Sequence, residues 1–205
     1  MWHDVTQADD EWFDLRLGKL TASRFSEVMA NYPKNFGEPA KKYALSLALE
    51  NLTGKRQDSY SNGYMLRGIE LEPVARELYQ EHTFLEVTNG GFFDCGGFGA
   101  SPDGLVGDDG IIEIKSVIHT THYATLTRAT VDPAYKWQIA LQLYCSDREW
   151  CDFISYCPEF PEHKQLLIYR VTRNYFDKDF KDMDIRINDF LNLVSEISSY
   201  INNYE

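Results

Sequence analysis

The stretch GASPDGLVGDDGIIEIKS, Gly99 to Ser116, decides how the chain is read. Its second half is an apolar run interrupted by Glu113 and Lys115. Successive side chains on a strand point to opposite faces, so Glu113 and Lys115 share one face while Ile112, Ile114 and Ser116 share the other. Asp103 lies ten residues before Glu113, and GLVGDDG supplies a turn that returns it beside Glu113, with Asp108 and Asp109 as turn residues. An Asp, a Glu and a Lys thereby converge at one end of a sheet. A Glu–Lys pair on an exposed strand would be ordinary. A strand this apolar on its other face is central, however, and buried charge there calls for a use. The two carboxylates suit a hard divalent cation, and the ammonium suits orienting or activating a water for attack on a phosphodiester.

The rest of the chain sets limits on that reading. At 205 residues it is expected to form a single domain over 1–205, and 43% apolar residues suffice for a folded core. No run approaches the roughly 18 apolar residues of a membrane span. The opening MWHDVTQADDEW is acidic and lacks a secretory pattern, so a cytoplasmic protein with reduced thiols at Cys95, Cys145, Cys151 and Cys157 is expected. The cysteine spacing contains no C-x-x-C, which argues against an iron–sulfur cluster and for buried small hydrophobes. His119 and His122 form no metal-spacing motif and are read as surface residues. A net charge of −12 argues against a generic nucleic-acid coat, because phosphate neutralisation needs clustered Lys and Arg. It leaves room for a nuclease whose basic residues are local.

Helical patterns run over Asp9–Leu17, through RFSEVMA with Thr21 or Ser23 as cap, over Pro39–Leu52, and from about Asn62 to His82. Pro73 predicts a kink in the last of these, or a start near Glu70. FLEV, GGFFD, GFGAS and GIIEIKSV read as strands, followed by helices over Thr120–Arg128 and Pro133–Cys145. EWCDFISYC and KQLLIYRVTR add two strands, and a long helix from Asn174 to Tyr204, irregular at its start, closes the chain. The class is α/β, with a central mixed sheet flanked by helices.

Pro102–Asp103 followed by Glu113–Ile114–Lys115 is the signature of the PD-(D/E)xK nucleases, which implies a restriction-endonuclease-like core. EWFDLRLGKLTAS (Glu11–Ser23), RGIELEPVARELY (Arg67–Tyr79), SPDGLVGDDGIIEIK and YKWQIALQLY (Tyr135–Tyr144) occur in that order. Together they closely resemble the phage lambda exonuclease type of viral recombination nuclease, also called alkaline exonucleases. The resemblance covers about residues 11 to 145.

That resemblance implies a metal site of Asp103, Glu113, the Ile114 carbonyl and Glu72, with Lys115 activating the attacking water. The choice of Glu72 over Glu70 is compatible with helical spacing, and Glu72 can also pair with Arg76 one turn on. Gln138 resembles the glutamine near the water, with Gln142 its rival at i+4. In that resemblance Arg16, Ser23, Ser101 and Thr21 correspond to residues that bind a terminal 5′-phosphate. Arg16 has Trp12 and Phe13 at i−4 and i−3, so no carboxylate of its own helix claims it. Asp94 matches the family's upstream acidic residue only with a one-residue deletion.

The implied function is a Mg²⁺-dependent exonuclease, with Mn²⁺ as a substitute, that digests one strand of linear duplex DNA from its 5′ end to mononucleotides. It would leave a 3′ single strand for a phage annealing protein, and a ring-shaped homotrimer would enclose the DNA. The rivals are a PD-(D/E)xK endonuclease of restriction or repair type and a non-catalytic scaffold for DNA ends or an annealing protein.

Overall fold

The computed structural model describes residues 1–57 and 63–204. Its strands are β1 (Trp2–His3), β2 (Leu20–Thr21), β3 (Val87–Thr88), β4 (Phe92–Asp94), β5 (Phe98–Ala100), β6 (Gly104–Val106), β7 (Gly110–Ser116), β8 (Trp150–Tyr156) and β9 (Leu166–Thr172). Its helices are α1 (Asp10–Arg16), α2 (Phe25–Met29), α3 (Glu38–Thr53), α4 (Gly63–Thr83), α5 (His119–Arg128), α6 (Lys136–Ser146) and α7 (Asp177–Asn203).

The apolar strand around Glu113 is central, as its sequence requires. β7 lies in the middle of a five-stranded sheet ordered β3-β6-β7-β8-β9, and β8 pairs with it in parallel. Parallel neighbours need a long crossover, which α5 and α6 provide. The side chains alternate as expected. Ile111 joins the larger core with Cys151, Phe153 and apolar residues of α2, α3, α6 and α7. Ile112 and Ile114 pack on the opposite face against Ala75 and Tyr79 of α4. Glu113 and Lys115 therefore face the α6 side.

Beside this central mixed sheet, as expected flanked by helices, the structure has a second mixed sheet that the sequence did not suggest. A four-stranded sheet ordered β1-β4-β5-β2 lies upstream in the chain, with β2 parallel to β5. Ser101, Pro102 and Asp103 are the whole connection from β5 to β6, and hence from one sheet to the other. That link is pinned. Gln7 Nε2 donates to the Pro102 carbonyl at 3.0 Å. Gly90 packs so close that a Cβ there would fall 1.8 Å from the same oxygen.

Several local expectations are corrected. GLVGDDG is a hairpin rather than a plain turn, because Gly104–Val106 pairs with Ile112–Gly110; three residues are too few to display alternation. β1 and β2, two residues each, escape notice for the same reason. Of FLEV only Val87 is in a strand, since Phe84 adopts φ +58° and turns the chain. Neither Thr21 nor Ser23 caps α2 through its side chain, because a 3₁₀ turn over Ala22–Arg24 intervenes and Arg24 takes the cap position. α4 runs through Pro73 without restarting. Proline there forfeits one hydrogen bond, and the burial of Ala75 and Tyr79 against the sheet offsets it. Asn62, its expected first residue, lies outside the described residues.

His122 is fully buried and not on the surface. It lies on the inner side of α5, with Nδ1 2.8 Å from Ser155 Oγ and Nε2 2.9 Å from the Lys164 carbonyl. His119 is exposed. All four cysteines are free, with Cys151 and Cys157 buried and Cys95 and Cys145 half-buried. Among the described residues no helix is long and apolar enough to cross a membrane.

Candidate active site

The β6–β7 hairpin sets the centre of the site. The Ile114 N–H donates to Asp103 Oδ2 at 2.6 Å, so the two halves of the opening motif are joined directly. Glu113 is 1% exposed. Its Oε1 takes the Lys115 ammonium and a hydrogen bond from Gln138 Nε2 at 2.6 Å, and its Oε2 takes one from Gln142 Nε2 at 2.5 Å. Both glutamines of α6 thus reach the same carboxylate. Glu72 pairs with Arg76 at 3.2 Å, and the Arg76 guanidinium also donates to the Asp103 carbonyl.

The three carboxylates of this centre act on one another. Burial, with Glu113 and Glu72 nearby, raises the Asp103 pKa well above the ordinary Asp range. Burial also raises Glu72, in part through Glu113, against the pull of Arg76. For Lys115 burial alone would lower the pKa, but the charges of Glu113 and Asp103 outweigh it and keep the ammonium protonated. The group is an anionic, oxygen-rich centre with Lys115 and Arg76 as its cations.

Among the described residues, no three His, Cys, Asp or Glu side chains are gathered in a ready metal-ligand arrangement. The expected set of Asp103, Glu113 and Glu72 is brought to one place, but its oxygens are turned to protein donors. Glu113 uses both oxygens on Lys115, Gln138 and Gln142, while Asp103 is engaged by Ile114. The donor type still fits a hard cation, and crowded like charges are what such an ion relieves.

A second group lies across the Ser101–Asp103 link. Ser101 Oγ accepts from Trp12 Nε1 at 2.8 Å and from Arg16 Nη1 at 3.2 Å. The Arg16 guanidinium lies 3.8 Å over the Trp12 ring. Among the described residues no carboxylate is within ion-pair distance of it. Burial without such a partner lowers its pKa to about 10. Thr21 is buried beneath, its N–H donating to Tyr43 Oη at 3.0 Å and its Oγ1 3.4 Å from Ser23 Oγ. Ser23 is exposed on the rim. A half-buried, unpaired guanidinium among hydroxyls is suited to an anion.

Asp94 takes part in neither group, because it pairs with Lys19 at 2.6 Å and accepts from the Gly96 N–H. Sequence reasoning noted Trp12 only as a neighbour of Arg16 and passed over Tyr43 and Tyr135, the latter with its ring 5.2 Å from the Lys115 ammonium. The i−4 spacing of Trp12 from Arg16 was a signal for its role, whereas Tyr43 and Tyr135 carry no local signal that separates them from core aromatics.

With this geometry in place, comparison with known proteins identifies the family. A model of the YqaJ-like viral recombinase domain matches residues 11–149, more than half of the chain. The chain belongs to the YqaJ-like viral recombinase family. A search of curated proteins returns no match. Among solved structures this family member is similar to an alkaline exonuclease, LHK-Exo, from Laribacter hongkongensis. The two are 38% identical over 95% of this chain and 96% of that one, with a TM-score of 0.86. The same exonuclease in complex with dAMP matches at 38% identity over 94% and 96% of the two chains, again with a TM-score of 0.86. A phage related exonuclease from Haemophilus somnus 129PT shares the fold at 12% identity, with 91% and 96% coverage and a TM-score of 0.67. The YqaJ-like chain thus has the alkaline exonuclease fold, mixed sheets flanked by helices.

Proposed function

We propose that this protein is a divalent-metal-dependent exonuclease that digests one strand of linear duplex DNA from its 5′ end and leaves a 3′ single strand. The observation that carries the reading is the three-residue link from β5 to β6, which sets an unpaired guanidinium beside Ser101 and a crowded carboxylate centre beside Asp103. An internal cut has no use for a terminal-anion pocket beside its acidic centre. The likeness to an alkaline exonuclease supports the same reaction class.

Asp103, Glu113, Glu72 and the Ile114 carbonyl would hold the cation, proposed to be Mg²⁺, and the bound ion would supply Lewis-acid charge to the phosphodiester under attack. The protein's own groups do the rest. Lys115, which pairs with Glu113, would direct its ammonium toward the reacting phosphate and activate the attacking water. Gln138, which donates to Glu113 at 2.6 Å, would orient the water through its amide. Arg16 offers its fork to the terminal phosphate, and the hydroxyls of Ser101, Thr21 and Ser23 add donors. The Trp12 ring holds the guanidinium in place.

The whole chain is proposed to work as one domain in the bacterial cytoplasm. Membership of a viral recombinase family supports a phage annealing protein as the user of the 3′ strand. A ring-shaped homotrimer around DNA would reconcile the charge of −12 with DNA binding, since only its channel need be basic. The deciding experiment compares linear duplex with covalently closed circles. Mononucleotide release from linear DNA alone is expected, and rapid cutting of closed circles would establish the endonuclease reading instead.

A further inference from the structure

α6 contributes an unbroken buried run, Ile139, Ala140, Leu141, Gln142 and Leu143, in which the one polar residue is Gln142. Gln142 is 0% exposed. Its Nε2 donates to Glu113 Oε2 at 2.5 Å and to the Ser101 carbonyl at 3.4 Å. Its Oε1 is buried with no hydrogen-bond partner among the described residues. The amide cannot simply turn over, because an ionised carboxylate only accepts and would face the amide oxygen. Methionine would fill the same space without an orphan acceptor, so good packing does not account for a glutamine here.

The position of that amide does account for it. Ser101 is held on its hydroxyl by Arg16 and Trp12 and on its carbonyl by Gln142. Gln142 in turn holds Glu113, which also carries Lys115 and Gln138. A continuous series of polar contacts therefore runs from the terminal-anion pocket to the acidic centre through one side chain. An anion that draws Arg16 from Ser101 changes the hold on that residue, and the two N–H groups of Gln142 share the consequence between Ser101 and Glu113.

We propose that Gln142 is the positioning residue that couples recognition of the 5′-terminal phosphate to hydrolysis at the acidic centre. This rests on the functional reading above, and its test separates the two. The variants are Gln142→Met, which keeps volume and removes the amide, and Gln142→Asn, which keeps the amide and shortens its reach. Two quantities are measured on duplexes with 5′-phosphoryl or 5′-hydroxyl ends. One is equilibrium binding in EDTA by fluorescence anisotropy, and the other is the single-turnover rate with Mg²⁺ at saturating protein.

Wild type is expected to prefer phosphoryl ends in both, by tenfold or more in rate. In either variant the rate ratio should fall to within twofold of unity while the binding preference stays within twofold of wild type. An unchanged rate ratio would overturn the proposal, as would loss of both preferences together, which marks general damage to the pocket. A wild type without preference in either measurement would overturn the phosphate pocket itself, and the coupling with it. Should Gln142→Met not fold, Gln142→Asn alone decides between these outcomes.

Discussion

The two halves of the site are opposites in charge. The centre on β7 has more carboxylate than its cations balance, and burial together with Glu113 and Glu72 makes Asp103 hold its proton more tightly than an ordinary Asp. The pocket at the end of β5 has a guanidinium with no carboxylate partner among the described residues, and burial makes Arg16 hold its proton less tightly. Other buried charges of the same fold are satisfied within it, Arg186 by the carbonyls of Val28, Lys34 and Ala30. Buried Asp152 on β8 receives both Arg170 donors at 2.8 Å and the Tyr79 hydroxyl at 2.7 Å. Folding alone is served by balanced groups such as Asp152, and the two imbalances mark where ligands of opposite sign belong.

The largest effect expected is at the acidic centre. Lys115→Ala should lower the single-turnover nuclease rate on the order of 10³-fold, the scale seen when a preorganised electrostatic stabiliser is removed. A rate within tenfold of wild type, in a preparation free of other nucleases, would remove the centre from the chemistry. Next comes the pocket. Arg16→Ala should abolish the preference for 5′-phosphoryl over 5′-hydroxyl ends, worth roughly 10- to 100-fold for a charge-assisted contact. If the preference survives, the cationic half of the comparison fails.

The third effect is on stability and depends on pH. A carboxyl whose pKa is raised by folding costs the folded state stability as pH climbs from the unfolded value, about 4, through the raised one. Asp103→Asn removes that loss. In EDTA at pH 8 the variant should melt a few degrees above wild type, about 2–4 °C per ~1 kcal/mol for this chain length. The gap should close toward pH 4, and a gap independent of pH would show that like charge is not its cause. The smallest effect belongs to Asp94. Its pair with Lys19 is partly exposed, so Asp94→Ala should cost ~1 kcal/mol or less in denaturant melts. Its nuclease rate should stay within about twofold, and a deeper loss would return Asp94 to the acidic centre.

Much of this was legible in the chain itself. Strand alternation fixed which way Glu113 and Lys115 face, and the ordered motifs brought Arg16, Ser101 and Asp103 into one functional reading. The short strands β1, β2 and β6, the division into two sheets and the burial of His122 were not legible. Elements of two or three residues have no period to read, and a buried His differs from an exposed one only through its distant partners, Ser155 and the Lys164 carbonyl. The choice between Gln138 and Gln142 also dissolved, because both reach Glu113 from successive turns of α6.

By itself the sequence determined what is local: the facing of side chains along β7, the helix that carries Glu72, and the set of chemical groups available. The tertiary structure decided which charges are balanced. Arg16 meets Ser101 across 85 residues of chain, and Gln142 meets Glu113 across 29. A side chain's direction follows from its own backbone, whereas its compensation depends on whatever the rest of the fold brings within a few ångströms.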